Sequence, residues 1–453
     1  MSLKNPRILI LGAGPTGCGA AFYLSTLGYN NWAVYEKNSY VGGLSASYVD
    51  RNGFTWDNGG HVVFSHFDYF DSLFDFSCAD NHFSHMRNAY AYMMDTLVPY
   101  PVQNNIRYLK PEIIWEIIQG LIDRPDKSSP KNFKEWIESQ FGKGLANHFM
   151  YPYNQKVWSV DLKHMDYNWI AERVSVIELK KVLSAVILQR DDSSWGPNHS
   201  FKFPQHGGTQ AIYLPVQKLI ADKLVLNSEV SKIDIKEKTV YFTNGNIDTY
   251  DYLINSIPLD EFAGVLLNGV ANESIREKAK KLVSNTVLII GVGVARKDAR
   301  KLNWIYFPEP EYPWYRVTFF SNYSPFNVPD ENHFSLMGEI SYPYGTQPDA
   351  DEEIQRSLSA FVKCGFLNQD DIETKIASLY HRTIPKAYPV PSCDRDEILH
   401  AVQPFLMKNN IYSRGRFGGW KYEVANMDHS VMQGKEAVDA ILFNKPETVY
   451  TIP

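Results

Sequence analysis

Cysteine is scarce in this chain, and the four present (Cys18, Cys78, Cys364 and Cys393) are widely scattered. They show no metal-ligand spacing and no disulfide framework, so a reducing, cytoplasmic setting is expected. No apolar run approaches the length of a membrane span, and the N-terminus lacks the basic-then-apolar pattern of a secretory signal. No membrane association is expected. Runs of Lys and Arg are also absent and the net charge is −6, which argues against a nucleic-acid partner. Internal repeats and low-complexity tracts are missing, so interleaved segments fit better than tandem domains. Aromatics, by contrast, are plentiful at 14%. They suit either an aromatic core or a pocket that stacks a base or a sugar.

The most informative stretch comes first. Arg7–Leu11 is a short apolar run, followed by Gly12-Ala-Gly14-Pro15-Thr16-Gly17 and then by Cys18–Leu24. This order reads as strand, glycine turn, helix. Gly12 permits the turn, Gly14 lets the backbone approach a pyrophosphate, and Gly17 lets the helix pack close to the strand. The helix N-terminus then offers free N–H groups to phosphate. A second strand, Trp32–Tyr35, ends on Glu36 and Lys37, and Glu36 stands where a carboxylate accepts hydrogen bonds from a ribose diol. Beyond it, Gly42, Gly43, Leu44 and Ser45, and then Gly59, Gly60 and His61, supply further points of close backbone approach. Such contacts point to an extended flavin dinucleotide, FAD, rather than NAD.

The rest of the chain divides by pattern. Glu112–Ile122, Phe133–Phe149 and Trp169–Leu188 carry apolar residues at helical intervals. Residues 201–257 return to α/β character, with Thr209 as an expected N-cap of a helix reaching Leu219. Short strands follow at Leu224–Leu226, Val230–Ile235, Thr239–Phe242 and Asp251–Ile257. Residues 286–380 read as an antiparallel sheet, with strands at Thr286–Ala295, Trp304–Phe307, Tyr315–Ser321 and His333–Ile340. Gly291-Val-Gly293 is not a second fingerprint, since it has neither a third glycine nor a following helix. The expected fold is α/β. Residues 1–95, 200–260 and 410–453 would form a Rossmann-like FAD domain. Residues 96–199 would be a mostly helical substrate domain, and 261–409 an antiparallel sheet lining the active site.

Candidate chemistry rests on histidine, arginine and tyrosine. His61 directly follows a glycine pair, which favours a place against the flavin. His61, His66 and Asp57 match no ligand spacing, so no metal is expected. Arg173 sits within a helical pattern, Arg316 on a strand, and Arg416 in a glycine-rich loop. The planar guanidinium fork suits a diphosphate because it donates two parallel bonds and stays charged in a dry pocket. Tyr100, Tyr306, Tyr323, Tyr388 and Tyr422 lie in Pro- or Gly-rich contexts, where hydroxyls can complete a phosphate's hydrogen bonding.

With these residues in view, the chain resembles the UDP-galactopyranose mutases, particularly their eukaryotic-type branch. The similarity runs through Gly12–Ala20, Gly59–His66, Val98–Ile106, Pro152–Trp158, Trp195–Asn198, Tyr315–Pro325 and Tyr412–Ser430. The resemblance implies an isomerase that uses reduced FAD without net redox, its N5 attacking the anomeric carbon of the nucleotide sugar. It further implies Arg173 and Arg316 as the diphosphate arginines, assisted by Tyr323, Tyr388 and Tyr422. Tyr100, Gln103, Phe149 and Asn154 would hold the uridine, Trp158 and Tyr306 would also bind substrate, and Asn198 would lie in a closing loop. His61, Val230, Arg416, Gly418, Tyr422, Asn426, Met427 and Met432 would border the flavin and the sugar. Tyr151 departs from the pattern, standing where related sequences often carry a basic residue. A UDP-sugar is the implied substrate, with NADPH or NADH as external reductant through the same cleft, and homo-oligomerisation stays open. The alternatives are a mutase for another nucleotide-linked pyranose, an FAD-dependent oxidase of the amine-oxidase type, and a non-catalytic FAD protein or nucleotide-sugar binder.

Overall fold

In the computed structural model, residues 5–125, 129–170, 177–191, 199–268 and 273–452 are described. Strand Ile8–Leu11 is buried along its whole length and pairs in parallel with Trp32–Tyr35 on one side and Tyr252–Asn255 on the other. Burial on both faces is what an uninterrupted apolar run predicts for a central parallel strand. The sheet is completed by Leu224–Val225 and Ile411–Ser413, so three distant segments share one five-stranded parallel layer. Helix Pro15–Thr26 opens with proline in its first turn, where a missing N–H costs nothing. The last helix, Met427–Phe443, packs against it through glycines. A Cβ on Gly434 would stand 2.1 Å from the carbonyl oxygen of Thr16, and one on Gly19 would stand 2.5 Å from that of Val431.

A seven-stranded sheet forms the opposite side. Its order is Ile376–Pro389, Ser284–Val294, Phe334–Pro343, Arg316–Phe319, Trp304–Tyr306, Ala89–Met93 and Thr96–Pro99. All neighbours are antiparallel except Trp304–Tyr306 with Ala89–Met93. Gly291 and Gly293 lie inside strand Ser284–Val294, where a Cβ would strike the rings of Trp56 and Phe54. They make room for aromatic packing. Helices Pro111–Ile122, Phe133–Leu145, Tyr151–Trp158 and Leu179–Leu188 enclose a separate apolar core.

Several expectations need correction. Ala89–Met93, placed by pattern in the nucleotide domain, belongs to the seven-stranded sheet. Helix Arg395–Lys408, placed in the sheet domain, packs its Ile398, Leu399, Val402 and Leu406 into the core beside the parallel sheet. Strand Ile376–Pro389 was not expected, because Pro385 and Pro389 punctuate it. An edge strand tolerates prolines, since one side of its ladder is unpaired. Thr209 is not an N-cap. It lies within a 3₁₀ turn, Thr209–Ile212, and its hydroxyl donates to the buried carboxylate of Asp57 instead. Of the expected helical span Trp169–Leu188, helix is found from Leu179. Arg173 and Asn198 lie outside the described residues.

The glycine contact between the first and last helices yields a test. Alanine is the better helix former by about 1 kcal/mol, but at position 434 its methyl would enter the backbone of the fingerprint helix. Gly434→Ala is expected to destabilise the protein by about 1–3 kcal/mol through overpacking. Thermal unfolding and flavin absorbance should fall together, because Thr16 moves with the displaced turn.

Candidate active site

The fingerprint folds as its residue types require. Gly12 adopts φ +95°, a conformation open to glycine, and its N–H donates to the Tyr35 carbonyl. The buried Glu36 turns back on this loop. Its Oε2 accepts from the Ala13 N–H at 2.8 Å, and its Oε1 from the Asn38 N–H at 2.9 Å. Gly43 passes so near Gly14 that a Cβ there would meet the Gly14 Cα at 3.1 Å. These segments line a cleft of about 520 Å³, walled by Gly12, Gly14, Pro15, Thr16, Glu36 and Lys37 at one end. Gly43, Leu44, Ser45, Val230, Arg416 and Met427 continue it toward the second sheet.

At the far end the cleft opens into a chamber of about 190 Å³ lined by Gly59, Gly60, Tyr315, Arg316, Glu339, Tyr388, Tyr422 and Asn426. His61, Leu44, Asn58, Arg416 and Met427 line both spaces, so the two are continuous. Two polar atoms on this shared wall, His61 Nδ1 and Asn58 Oδ1, are sealed from solvent and have no hydrogen-bond partner. Orphaned polar groups in a preformed cleft are groups waiting for a ligand. Together with the glycine cradle and the buried Glu36, they fit an extended flavin dinucleotide.

Charge in the chamber is organised around Arg316. Its Nε reaches Glu339 Oε1 at 2.6 Å and its Nη2 reaches Oε2 at 2.8 Å, a two-pronged pair on adjacent strands. The same carboxylate accepts from the Gly60 N–H at 3.1 Å and from the Tyr315 hydroxyl at 2.6 Å. Burial alone would raise the Glu339 pKa, but Arg316 and these donors outweigh it and hold the group ionised. Burial likewise opposes charge on Arg316, and Glu339 reverses it. Burial, followed by the positive charge of Arg416, pushes His61 down to about 3, so its imidazole is neutral at working pH. Arg416 itself donates to the Ala425 carbonyl at 3.2 Å and lies 5.4 Å over the Tyr388 ring.

An aromatic wall adjoins the chamber on the helical side. Tyr100 and Tyr306 lie 4.7 Å apart by ring centroid, Tyr306 and Tyr153 5.3 Å, and Tyr153 stacks on Phe149 at 5.3 Å. Trp158 meets the Tyr422 ring edge-on at 4.9 Å and Tyr388 at 6.1 Å. Folding therefore brings Tyr100, Phe149, Trp158, Tyr306, Tyr388 and Tyr422 into one region. Gln103 is buried beside them, and the buried Asn154 donates its amide to the carbonyl of Met150, just before its own helix.

Other expected residues stand further back. Gly17, Gly42, Gly418 and Met432 line neither space. Gly17 is spent on helix packing, since a Cβ there would stand 1.9 Å from the Gly12 carbonyl oxygen. Gly418 packs on the Asn255 carbonyl, where a Cβ would stand 2.8 Å away. Tyr323, expected as a loop residue at the pocket, is fully buried among Phe201, Phe203 and Phe320. The turn after strand Arg316–Phe319 tucks its ring into the core, so it lines neither space. Asp57 and His66 do not meet as a metal pair. Asp57 is buried under Ser47 and Thr209, and burial raises its pKa to about 6. Glu339, Tyr315 and Arg382 line these spaces and were not among the expected site residues. Glu339 left a signal, as a lone carboxylate in the apolar strand Phe334–Pro343.

The sequence profile described as flavin containing amine oxidoreductase matches residues 16–442. A crystal structure of reduced UDP-galactopyranose mutase superposes with a TM-score of 0.94 at 41% identity, covering 99% of this chain and 96% of that one. A 15-cis-phytoene desaturase of Glycine max is 21% identical over 97% of this chain and 80% of its own length. A fatty acid isomerase from P. acnes shares the fold at a TM-score of 0.65 and 14% identity, covering 98% of this chain and all of that one.

Two outcomes follow from the buried charges. An unfolded histidine titrates near 6.5 and folded His61 near 3, so the folded state binds fewer protons between these values. Its contribution to stability is complete above pH 6.5 and is lost as pH falls toward 3. Asp57 acts oppositely, gaining stability as pH falls from about 6 toward 3.8. In His61→Asn only the histidine contribution vanishes. Urea unfolding from pH 6.5 to 5 should then lose stability less steeply than wild type, by up to about 1.4 kcal/mol per pH unit. Equal slopes would mean that His61 exchanges protons freely in the folded chain. Separately, Glu339→Ala strands Arg316 and the Gly60 N–H, and is expected to cost about 3–5 kcal/mol in the same assay. Glu339→Gln, which keeps an acceptor, should cost less.

Proposed function

Because this chain belongs to the UDP-galactopyranose mutases, within the flavin-containing amine oxidoreductase family, we propose that it interconverts UDP-galactopyranose and UDP-galactofuranose without net redox. The observation that carries this reading is the continuity of two spaces. A glycine-walled cleft suited to a dinucleotide opens into a chamber holding Arg316, Arg416, Tyr388 and Tyr422. An oxidase tunnel for an amine has no use for that arginine and tyrosine lining, whereas a nucleotide diphosphate does.

Bound and reduced, FAD would supply a nucleophilic nitrogen for the anomeric carbon, which is covalent catalysis by the cofactor. The chain's own residues would do the rest. The backbone of Gly12–Thr16 and the following helix N-terminus would take the pyrophosphate of the dinucleotide, and Glu36 its ribose. His61, held neutral, would present an uncharged ring to the flavin, so that the positive charge of the chamber stays on the arginines. Arg316 would meet the departing diphosphate with Glu339 fixing its fork, and Tyr388 and Tyr422 would add hydroxyl donors. A preset guanidinium needs no reorganisation when the bond to the anomeric carbon breaks, and that favours the charge-separated state. Arg173 would be the second diphosphate arginine. The wall of Tyr100, Phe149, Trp158 and Tyr306 would receive the uridine, with Gln103 and Asn154 behind it. Asn426 would face the sugar, and Asn198 would belong to the segment that closes over it. NADPH or NADH would have to reach the flavin through this same cleft.

The test is anaerobic incubation of the yellow protein with UDP-galactofuranose, with and without dithionite, followed by chromatography of the nucleotide sugars. Conversion to the pyranose only after reduction is expected. Arg316→Ala should lower turnover by about 10²–10³-fold while retaining flavin, and unchanged activity in that variant would sink its assignment. Tight UDP binding without conversion would move the substrate to another nucleotide-linked pyranose. Steady peroxide production with an amine would replace the mutase by an oxidase.

A further inference from the structure

A second constellation lies at the rim of the chamber. His66 Nδ1 stands 2.8 Å from Asp428 Oδ2, and His429 Nδ1 stands 3.0 Å from Asp428 Oδ1. The three ligand atoms all lie within 4.8 Å of one another. Asp428 is buried, His66 is exposed and His429 half-buried, so the trio has an anchored carboxylate and an open side toward solvent. Burial tends to protonate Asp428, but hydrogen bonds from His429 and His66 prevail and keep it ionised.

Two imidazoles and a carboxylate are the donor set of borderline divalent ions. Magnesium and calcium prefer all-oxygen surroundings. In a tetrahedral zinc site, donors about 2.1 Å from the metal stand about 3.4 Å from one another. The N···O separations of 2.8 and 3.0 Å are therefore a few tenths of an ångström short of ligand spacing. Rotation of the exposed His66 ring supplies that opening. Phe64 and Phe67 flank the imidazoles at right angles, their rings 5.9 Å from His66 and 5.4 Å from His429.

We propose that His66, Asp428 and His429 form a binding site for a zinc-type divalent ion, with solvent completing its coordination. Each imidazole would bind through the Nδ1 lone pair, so its proton moves to Nε2 and the hydrogen bond to Asp428 is replaced by a shared metal. The site joins two pieces of chain that both wall the chamber. His66 follows the Gly59–His61 turn, and Asp428 stands in the first turn of helix Met427–Phe443 beside Asn426 and Met427. An ion there would clamp the turn to the helix at the chamber's edge.

The experiment is equilibrium dialysis of tag-free, flavin-loaded protein against Zn²⁺ alone, without nucleotide sugar or chelator. One zinc per chain is expected. His429→Ala and His66→Gln should each weaken binding by at least about tenfold, with flavin content of the metal-free protein unchanged. Gln at 66 keeps an N–H for Asp428, so it separates loss of a metal ligand from loss of a hydrogen bond. Wild-type affinity in both variants, or no stoichiometric binding, would overturn the proposal and leave a hydrogen-bonded latch. Should a variant shed its flavin, electron paramagnetic resonance of Cu²⁺ added to wild type decides. Coupling to two imidazole nitrogens supports the site, and its absence refutes it. Neither readout depends on which sugar is the substrate.

Discussion

The chamber hangs on one carboxylate. Glu339 takes both prongs of Arg316, the hydroxyl of Tyr315 and the N–H of Gly60, so one side chain binds two strands and the His61 turn. Removing an ionised Glu and Arg from water is expensive, and their attraction offsets that cost only where the remaining lone pairs are also satisfied. Here they are satisfied. The glycine turn cannot shift without breaking a bond to the group that aims Arg316, which ties the flavin side of the site to the substrate side. Gly59 and Gly60 are required on steric grounds as well. A Cβ at Gly59 would stand 3.1 Å from Glu339 Oε2, and one at Gly60 would stand 2.4 Å from Thr318 Oγ1.

The same burial that strengthens the ion pair discharges His61. Its Nδ1 is sealed from solvent, and burial together with the charge of Arg416 outweighs the favourable pull of Glu339, so a proton there is opposed. The chamber thus holds positive charge on groups that cannot lose it and keeps His61 neutral. A pocket built this way keeps its guanidinium groups charged at any pH at which the protein is folded. The low dielectric around it makes each hydrogen bond count for more than it would in water.

Much of this was legible in the sequence, unevenly. The fingerprint was readable because its chemistry is local: Gly12, Gly14, Pro15 and Thr16 are adjacent in sequence and in space, and Glu36 follows one strand later. Arg316 and Arg416 were readable as residue types suited to a diphosphate, and the chamber unites them. Glu339 was overlooked because a single glutamate on a strand has no motif, and its partners lie 23 and 279 positions away. Tyr323 reads from its proline-flanked context as a loop residue, whereas packing draws its ring inward among Phe201, Phe203 and Phe320. Strand Ile376–Pro389 was hidden by prolines that only an edge position tolerates.

The sequence by itself determined the nucleotide-binding turn, the alternation of strands and helices, and the stock of arginines and tyrosines. Each depends on residues near one another in the chain, where backbone sterics and periodicity act directly. Tertiary structure decided which charges meet. It paired Arg316 with Glu339, drew Arg416 to the wall beside His61, and set His66 against residues 362 positions later. Ion pairing and burial depend on distance in space. That distance is set only when separate segments, far apart in the chain, are folded into one parallel sheet and one mostly antiparallel sheet.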